Sequence, residues 1–114
     1  MSERKGSYRV RKVDKNQPGI VENLRRIGAT VVILSSLGHG TPDILVGWKG
    51  ENYLFEIKDR TGGLTVDEYE FFHKWAGAVH LIRSYDDALA ILMVLAAWAI
   101  PAPCPAQKPA RRSE

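Results

Sequence analysis

The sequence predicts an α/β domain whose elements follow one another in the order αβββαβα. Three segments carry helix signals, namely capping residues and apolar positions at helical spacing, and four short β-rich runs accompany them. The 114 residues are 45% hydrophobic and 25% charged, which is ordinary for a globular protein with one core. We expect a flexible basic arm over residues 1–15, one folded domain over 16–100 and a disordered tail rich in proline and alanine over 101–114.

The first helix is expected from about Pro18 to Ile27. Proline suits the first helical position, apolar residues then recur on one face, and Gly28 is a natural C-terminal stop. The β-branched run Thr30–Ser35 predicts a buried strand, and a loop over Ser36–Thr41 follows it.

Two strands are expected to form a hairpin in the middle of the chain. The run 43–47 predicts the first strand, the connection 48–52 folds the chain back, and the second strand ends near Lys58. Side chains along a strand alternate between its faces, so Glu56 and Lys58 project to the same side. We expect the carboxylates of Asp43 and Glu56 to meet at one end of the paired strands.

The second helix is predicted by a capping box, in which Thr65 and Glu68 cap the first turn reciprocally. Gly77 is the expected end of this helix. The residues that we expect on its buried stripe are Tyr69, Phe72 and either Trp75 or Ala76.

The last two elements are a strand over 78–83 and a helix that begins after Ser84 and ends near Ile100, before Pro101. The stretch 88–100 is almost entirely apolar, which is more apolar surface than one side of a helix needs. We therefore expect part of this helix to face a second subunit. The alternative is a helix buried wholly within its own monomer.

The acids and the lysine at the end of the hairpin are the strongest functional signal. Charged residues inside apolar, β-rich runs cost free energy unless a metal, a partner or a substrate compensates them. Asp43, Glu56 and Lys58 are therefore the candidate residues for chemistry.

The charge distribution favours a polyanionic partner. The net charge is +3, and six of the sixteen lysine and arginine residues fall within the first fifteen positions. A solvated arm without a partner explains the same cluster equally well. The residues that we expect to contact nucleic acid are Lys5, Arg9, Arg11, Lys12, Lys15, Arg25, Arg26 and His39.

Cysteine content and hydropathy bear on the compartment. The single cysteine, Cys104, excludes an intramolecular disulfide and a cysteine-based zinc site. The apolar stretch 88–100 is shorter than the roughly 20 residues of a membrane-spanning helix, and no secretory signal is recognised. We therefore expect a cytoplasmic protein.

The arrangement of the motifs resembles the PD-(D/E)XK nuclease superfamily. Pro42-Asp43 stands at the start of one strand, Glu56-Ile57-Lys58 stands at the end of the next, and both lie within the order αβββαβ. Within the superfamily the chain looks like the small VRR-NUC type found in phages and prophages. The resemblance covers roughly residues 13–95.

Other segments match the same type. They are the stretch 13–17 before the first helix, Glu22 within it, the run 38–43, and Leu64-Thr65 ahead of a Trp-Ala-Gly helix end at 75–77. The chain departs from the family in a shorter loop before the second helix. It also carries Glu68 where family members often have glutamine.

The resemblance implies a restriction-endonuclease-like core with a mixed central sheet, a C-terminal helix and metal-dependent DNA cleavage. Asp43 and Glu56 would bind Mg²⁺ or Mn²⁺, which prefer oxygen ligands, and the backbone carbonyl of Ile57 would complete the shell. Lys58 would act on the attacking water either as an ammonium or as a neutral amine, and both roles stay open. Glu22 is a further candidate near the metal, with a solvated helix position as the alternative.

The expected substrate is branched or flap DNA, because the family includes enzymes of the Holliday-junction resolvase kind and no base-reading module accompanies the core. A homodimer would carry two sites related by a dyad. We expect a role in phage or prophage DNA processing inside a bacterial host. The alternative is a non-catalytic nucleic-acid-binding or assembly protein on the same fold, in which the acids are relics.

Overall fold

The computed structural model describes residues 13–98, with side chains up to residue 95. Within that range the elements follow the predicted order αβββαβα, and the predicted α/β class with a mixed sheet is confirmed. No helix between residues 13 and 98 is long and apolar enough to cross a membrane. The parts of the sequence that lie outside the described residues are most of the predicted arm, the predicted tail, Lys5, Arg9, Arg11, Lys12 and Cys104.

The sheet has four strands in spatial order β1-β2-β3-β4. The strands are β1 (Thr30–Ile33), β2 (Ile44–Trp48), β3 (Glu51–Ile57) and β4 (His80–Ile82), and the helices are α1 (Gln17–Arg26), α2 (Val66–Lys74) and α3 (Tyr85–Trp98). The first three strands pair antiparallel, whereas β3 and β4 are parallel. Parallel neighbours need a crossover connection, and α2 lies in that connection.

The hairpin between β2 and β3 has a shorter turn than the sequence suggested. Only Lys49 and Gly50 lie between the strands, with φ of 48° and 84°. Two consecutive residues with positive φ form the tight turn whose twist matches that of paired strands. Because a two-residue turn fixes the register of a hairpin, it also determines which residues face each other at the far end.

The hydrophobic core lies on one face of the sheet, between the strands and helices α1 and α3. Pro18 in the first turn and Ile20, Val21 and Leu24 on one stripe explain why α1 forms and which side it buries. Other core residues are Val31, Ile44, Val46, Tyr53, Phe55, Ile57, Ile82, Ala88 and Leu92. The strand residues in this set alternate with residues that point to the opposite face.

Helix α2 lies over the opposite face of the sheet. Its capping box is present as predicted, but the predicted buried stripe is wrong, because Tyr69 is 58% exposed and Trp75 is 47% exposed. The buried residue of α2 is Glu68. The reason is that the first turn of α2 faces the end of β3 where Glu56 and Lys58 project, so its inward side chain is an acid that pairs with the lysine.

Gly40 determines how closely the loop before β2 approaches the start of α2. Its φ is +76°, and a Cβ at this position would overlap the backbone carbonyl oxygen of Asp67. We predict that Gly40→Ala lowers the free energy of unfolding by roughly 2–4 kcal/mol, from backbone strain and steric overlap. Urea denaturation measures the change. Gly19→Ala in α1 is the control, since a Cβ there meets nothing within 4 Å, and equal stability of the two variants would contradict the prediction.

Candidate active site

Asp43 and Glu56 face each other across the open end of the β2–β3 hairpin, as the sequence predicts. Ile44 pairs with Phe55, so one step further along the antiparallel ladder Asp43 lies opposite Glu56. The Asp43 amide donates a hydrogen bond to the Phe55 carbonyl at 3.0 Å, which extends the pairing to this position. The two acids are only 3% and 1% exposed. Two carboxyl groups are thus held together in the interior of a small protein.

Buried hydrogen bonds hold the Asp43 carboxylate in place. Its Oδ2 accepts from the Ile57 amide at 2.7 Å, and its Oδ1 accepts from the Ser35 hydroxyl at 3.4 Å. The Gln17 side-chain amide donates in turn to the Ser35 hydroxyl at 3.2 Å. A chain of polar contacts therefore runs from the first turn of α1 to Asp43.

Glu56 is the most strongly perturbed acid of the site. Burial, followed by the charges of Asp43 and Glu68 and a hydrogen bond with Asp43, raises the pKa of Glu56 to about 9, although Lys58 acts in the opposite direction. Glu56 consequently holds a proton at neutral pH. A carboxyl group that resists ionisation beside other acids favours any cation that can replace its proton.

Lys58 lies on the same face of β3 as Glu56, as strand alternation predicts. Its Nζ is 2.7 Å from Glu68 Oε1 and 3.6 Å from Glu56 Oε2. Burial lowers the pKa of Lys58, but the hydrogen bond and charge of Glu68 together with Glu56 outweigh it, so the net shift is upward. Of the two roles that the sequence leaves open, this environment favours the ammonium.

Glu68 lies in the site, which was one of two interpretations that the sequence left open: an acid that reaches the metal from the second helix, or a capping-box residue only. Its Oε1 accepts the Thr65 amide at 2.9 Å and also pairs with Lys58. Burial raises the pKa of Glu68, yet hydrogen bonds from Lys58 and Thr65 reverse the shift and hold it below the ordinary value. The capping box located Glu68 at the start of the helix. The burial of its side chain could not be predicted from local spacing, because it depends on what the helix packs against.

The segment before α1, which matches the family in sequence although no role in the site was predicted for its residues, also contributes to the site. The Asn16 side-chain amide donates to the carbonyl oxygens of Lys58 at 3.2 Å and Arg83 at 3.0 Å, which ties α1 to the ends of β3 and β4. Asp14 interacts electrostatically with Lys58 and Asp43, and burial is the main cause that raises the pKa of Asp14. These contacts join residues 42 and 67 positions apart, which no short motif encodes.

Glu22, predicted as a further acid near the metal, is not brought together with the other acids. Its side chain is 68% exposed and pairs with Arg26 at 2.8 Å. No contact of Glu22 with Asp43, Glu56 or Lys58 occurs among the described residues. The structure thus favours the alternative of a solvated helix position.

The predicted nucleic-acid-binding residues that the structure describes are Lys15, Arg25, Arg26 and His39. All four are exposed. Arg25 donates to the Val31 carbonyl at 2.9 Å, and Arg26 pairs with Glu22, so parts of both guanidinium groups are engaged within the protein. His39 has a φ of 57° and lies in the loop that leads to Asp43.

The oxygen atoms near Asp43 and Glu56 are of the type that binds a hard divalent cation, but few side chains supply them. No group of three or more His, Cys, Asp and Glu side chains suited to a metal is found between residues 13 and 98. Two carboxyl groups, from Asp43 and Glu56, converge there, and the Ile57 backbone lies beside them because its amide bonds to Asp43. Mg²⁺ and Mn²⁺ prefer oxygen ligands, and a cation would compensate the negative charges that burial disfavours at this place.

Comparison with known proteins adds no relative to this description. No protein-family model, no curated protein and no solved structure matches the chain. Function is therefore inferred from the contacts, burial and charge of the residues described above.

The raised pKa of Glu56 predicts a pH dependence of stability. The folded protein keeps a proton that the unfolded chain releases above pH 4.5, so this contribution falls as pH rises from 4.5 to about 9. The slope is at most about 1.4 kcal/mol per pH unit for one proton. We predict that Glu56→Gln removes this slope, measured by urea denaturation from pH 5 to pH 8 in EDTA.

Glu51→Gln provides the matched control for this measurement, because Glu51 is an exposed acid at the opposite end of β3. The control should keep the slope of the original protein. Parallel stability curves for Glu56→Gln and the original protein would contradict the assignment of a neutral, buried Glu56.

Proposed function

We propose that the chain is a metal-dependent DNA endonuclease of the PD-(D/E)XK type with a restriction-endonuclease-like core. One observation carries this proposal. The buried carboxyl groups of Asp43 and Glu56 face each other across a hairpin, and the ammonium group of Lys58, two residues after Glu56, lies on the same face of the strand as Glu56. The order αβββαβ around that hairpin, with a parallel fourth strand, supports it. The resemblance of the sequence motifs points to the same class.

Asp43, Glu56 and the backbone carbonyl of Ile57 are the groups that would hold the ion. A bound Mg²⁺ or Mn²⁺ supplies Lewis acidity toward the phosphate and lowers the pKa of bound water. The residues themselves supply the orientation. Asp43 is fixed by the Ile57 amide and the Ser35 hydroxyl, so its oxygens have little freedom to turn away.

Lys58 provides positive charge where the substrate gathers negative charge. Phosphodiester hydrolysis increases the charge on the scissile phosphate in the transition state, and a fixed ammonium in a partly buried site stabilises it. The ammonium is held between two acids, with only 13% of its side chain exposed. It is therefore oriented before substrate arrives, and that lowers the cost of reorganisation.

We propose branched or flap DNA as the substrate and a homodimer as the form of the protein that binds it. The role that we propose is phage or prophage DNA processing in the bacterial cytoplasm. The support for the dimer is the exposed side of α3, where Met93, Val94 and Leu95 are 46%, 52% and 41% exposed. Exposed apolar side chains in consecutive positions are typical of a contact surface. Lys15, Arg25 and Arg26 offer exposed positive charge at the two ends of α1 for backbone phosphates.

Cleavage assays test the proposal. We predict that the protein nicks supercoiled, flap or four-way-junction DNA with Mg²⁺ or Mn²⁺ and not with EDTA. Asp43→Ala and Lys58→Ala should each lower the rate by at least about 10³-fold, because each removes charge stabilisation from the reacting phosphate. Glu51→Gln is the control and should cleave at the original rate.

Two results would contradict the proposed nuclease activity. Cleavage that persists in Asp43→Ala would point to a contaminating nuclease or another site. Binding of the original protein to DNA, with no cleavage of any of the three substrates, would favour the alternative of a non-catalytic nucleic-acid-binding or assembly protein.

Proton release provides a second test that needs no substrate. Because Glu56 has a pKa of about 9, an ion that binds its carboxylate near pH 7 must displace a proton. We predict release of about one proton per Mn²⁺ ion, measured by calorimetric titration in buffers of different ionisation enthalpy. Glu56→Gln should release none, and equal proton release from both proteins would mean that the ion binds elsewhere.

A further inference from the structure

Glu68 is a buried charge that the proposed metal site does not use. It is 5% exposed, and burying a carboxylate costs free energy unless hydrogen bonds and a counter-charge compensate it. Its capping role leaves this cost unexplained, because glutamine serves at the same position of a capping box. The negative charge of Glu68 therefore needs another reason.

Lys58 supplies that reason. The Nζ of Lys58 lies 2.7 Å from Glu68 Oε1, which is a strong charge-assisted hydrogen bond. It lies 3.6 Å from Glu56 Oε2, which is beyond hydrogen-bond range. The closer partner of the ammonium is thus the acid on α2 and not the acid on its own strand. Lys58 is consequently held from across the site.

The first turn of α2 is itself fixed relative to Asp43. The Glu68 amide donates to the Thr65 hydroxyl, while the Glu68 carboxylate accepts the Thr65 amide, so both ends of the residue are tied to the cap. The backbone of Asp67 lies directly against Gly40, three residues before Asp43. Glu68 therefore stands at a set position with respect to the metal-binding acids.

We propose that Glu68 is a positioning residue, whose carboxylate holds the Lys58 ammonium beside Glu56 so that it meets the scissile phosphate. This inference rests on the proposed function and names a residue that it does not include. In this role Glu68 acts through Lys58, although it also interacts with Glu56. Its charge is needed for this role, whereas its shape alone is enough for the cap.

Glu68→Gln separates the two roles, because the amide keeps the acceptor for Thr65 and loses the charge that pairs with Lys58. The amide oxygen can still accept from Lys58, so only the charge of the acceptor is lost. We expect the kcat of DNA cleavage to fall about 10-fold, with KM for DNA within about threefold. The midpoint of urea denaturation should fall, because Lys58 loses a buried counter-charge, so cleavage is compared at a temperature at which both proteins are folded. Glu70→Gln is the matched control, because Glu70 pairs with an exposed lysine, Lys74, on the same helix.

A second readout does not depend on cleavage. Heteronuclear NMR detects a lysine ammonium when ion pairing and burial slow the exchange of its protons. We expect a resolved signal from Lys58 Nζ in the original protein and in Glu70→Gln, and loss of the signal in Glu68→Gln.

The two readouts distinguish the possible failures. A protein that cleaves no DNA but shows the NMR pattern would overturn the proposed function and leave the Lys58–Glu68 anchor intact. A Glu68→Gln variant that cleaves DNA with the original kcat, or keeps the Lys58 signal, would overturn the positioning role while the nuclease stands.

Discussion

The antiparallel register of β2 and β3 is the constraint on which the rest of the site depends. The two-residue turn at Lys49 and Gly50 sets this register, and at the other end of the hairpin it brings Asp43 opposite Glu56. Two carboxyl groups buried side by side cost free energy unless hydrogen bonds or opposite charges compensate them. The surrounding structure compensates them with a backbone amide, a hydroxyl group, a shared proton and one ammonium group.

Each layer of the fold contributes one part of that compensation. The first turn of α1 reaches Asp43 through Gln17 and Ser35, while Asn16 ties the same turn to the ends of the parallel strands. Helix α2 crosses the opposite face and brings Glu68 to Lys58. The hydrophobic core on the other face holds these layers in register. The hydrophobic core lies on one face of the sheet and the Lys58–Glu68 pair on the other, and β3 serves both because its side chains alternate between the faces.

Much of this arrangement could be predicted from the sequence, because it follows from local rules. Strand alternation placed Glu56 and Lys58 on one face, a hairpin brought Asp43 to Glu56, and the capping box located the start of α2. The misses concern long-range contacts. Whether Glu68 is exposed depends on what α2 packs against. The first turn of the helix meets the polar end of β3, so the side chain buried there is an acid and not one of the aromatic residues. Glu22 has the right chemistry on α1, but it points away from the acids.

The central claim is that Asp43 and Glu56 bind one divalent cation together. Crystals soaked in Mn²⁺ test it most directly through anomalous scattering. We expect one strong peak at about 2.2 Å from an oxygen of each carboxylate, with Lys58 still paired with Glu68. If the protein cleaves DNA but its crystals show no manganese between these two residues, or show it bound elsewhere, then Asp43 and Glu56 do not share the catalytic ion.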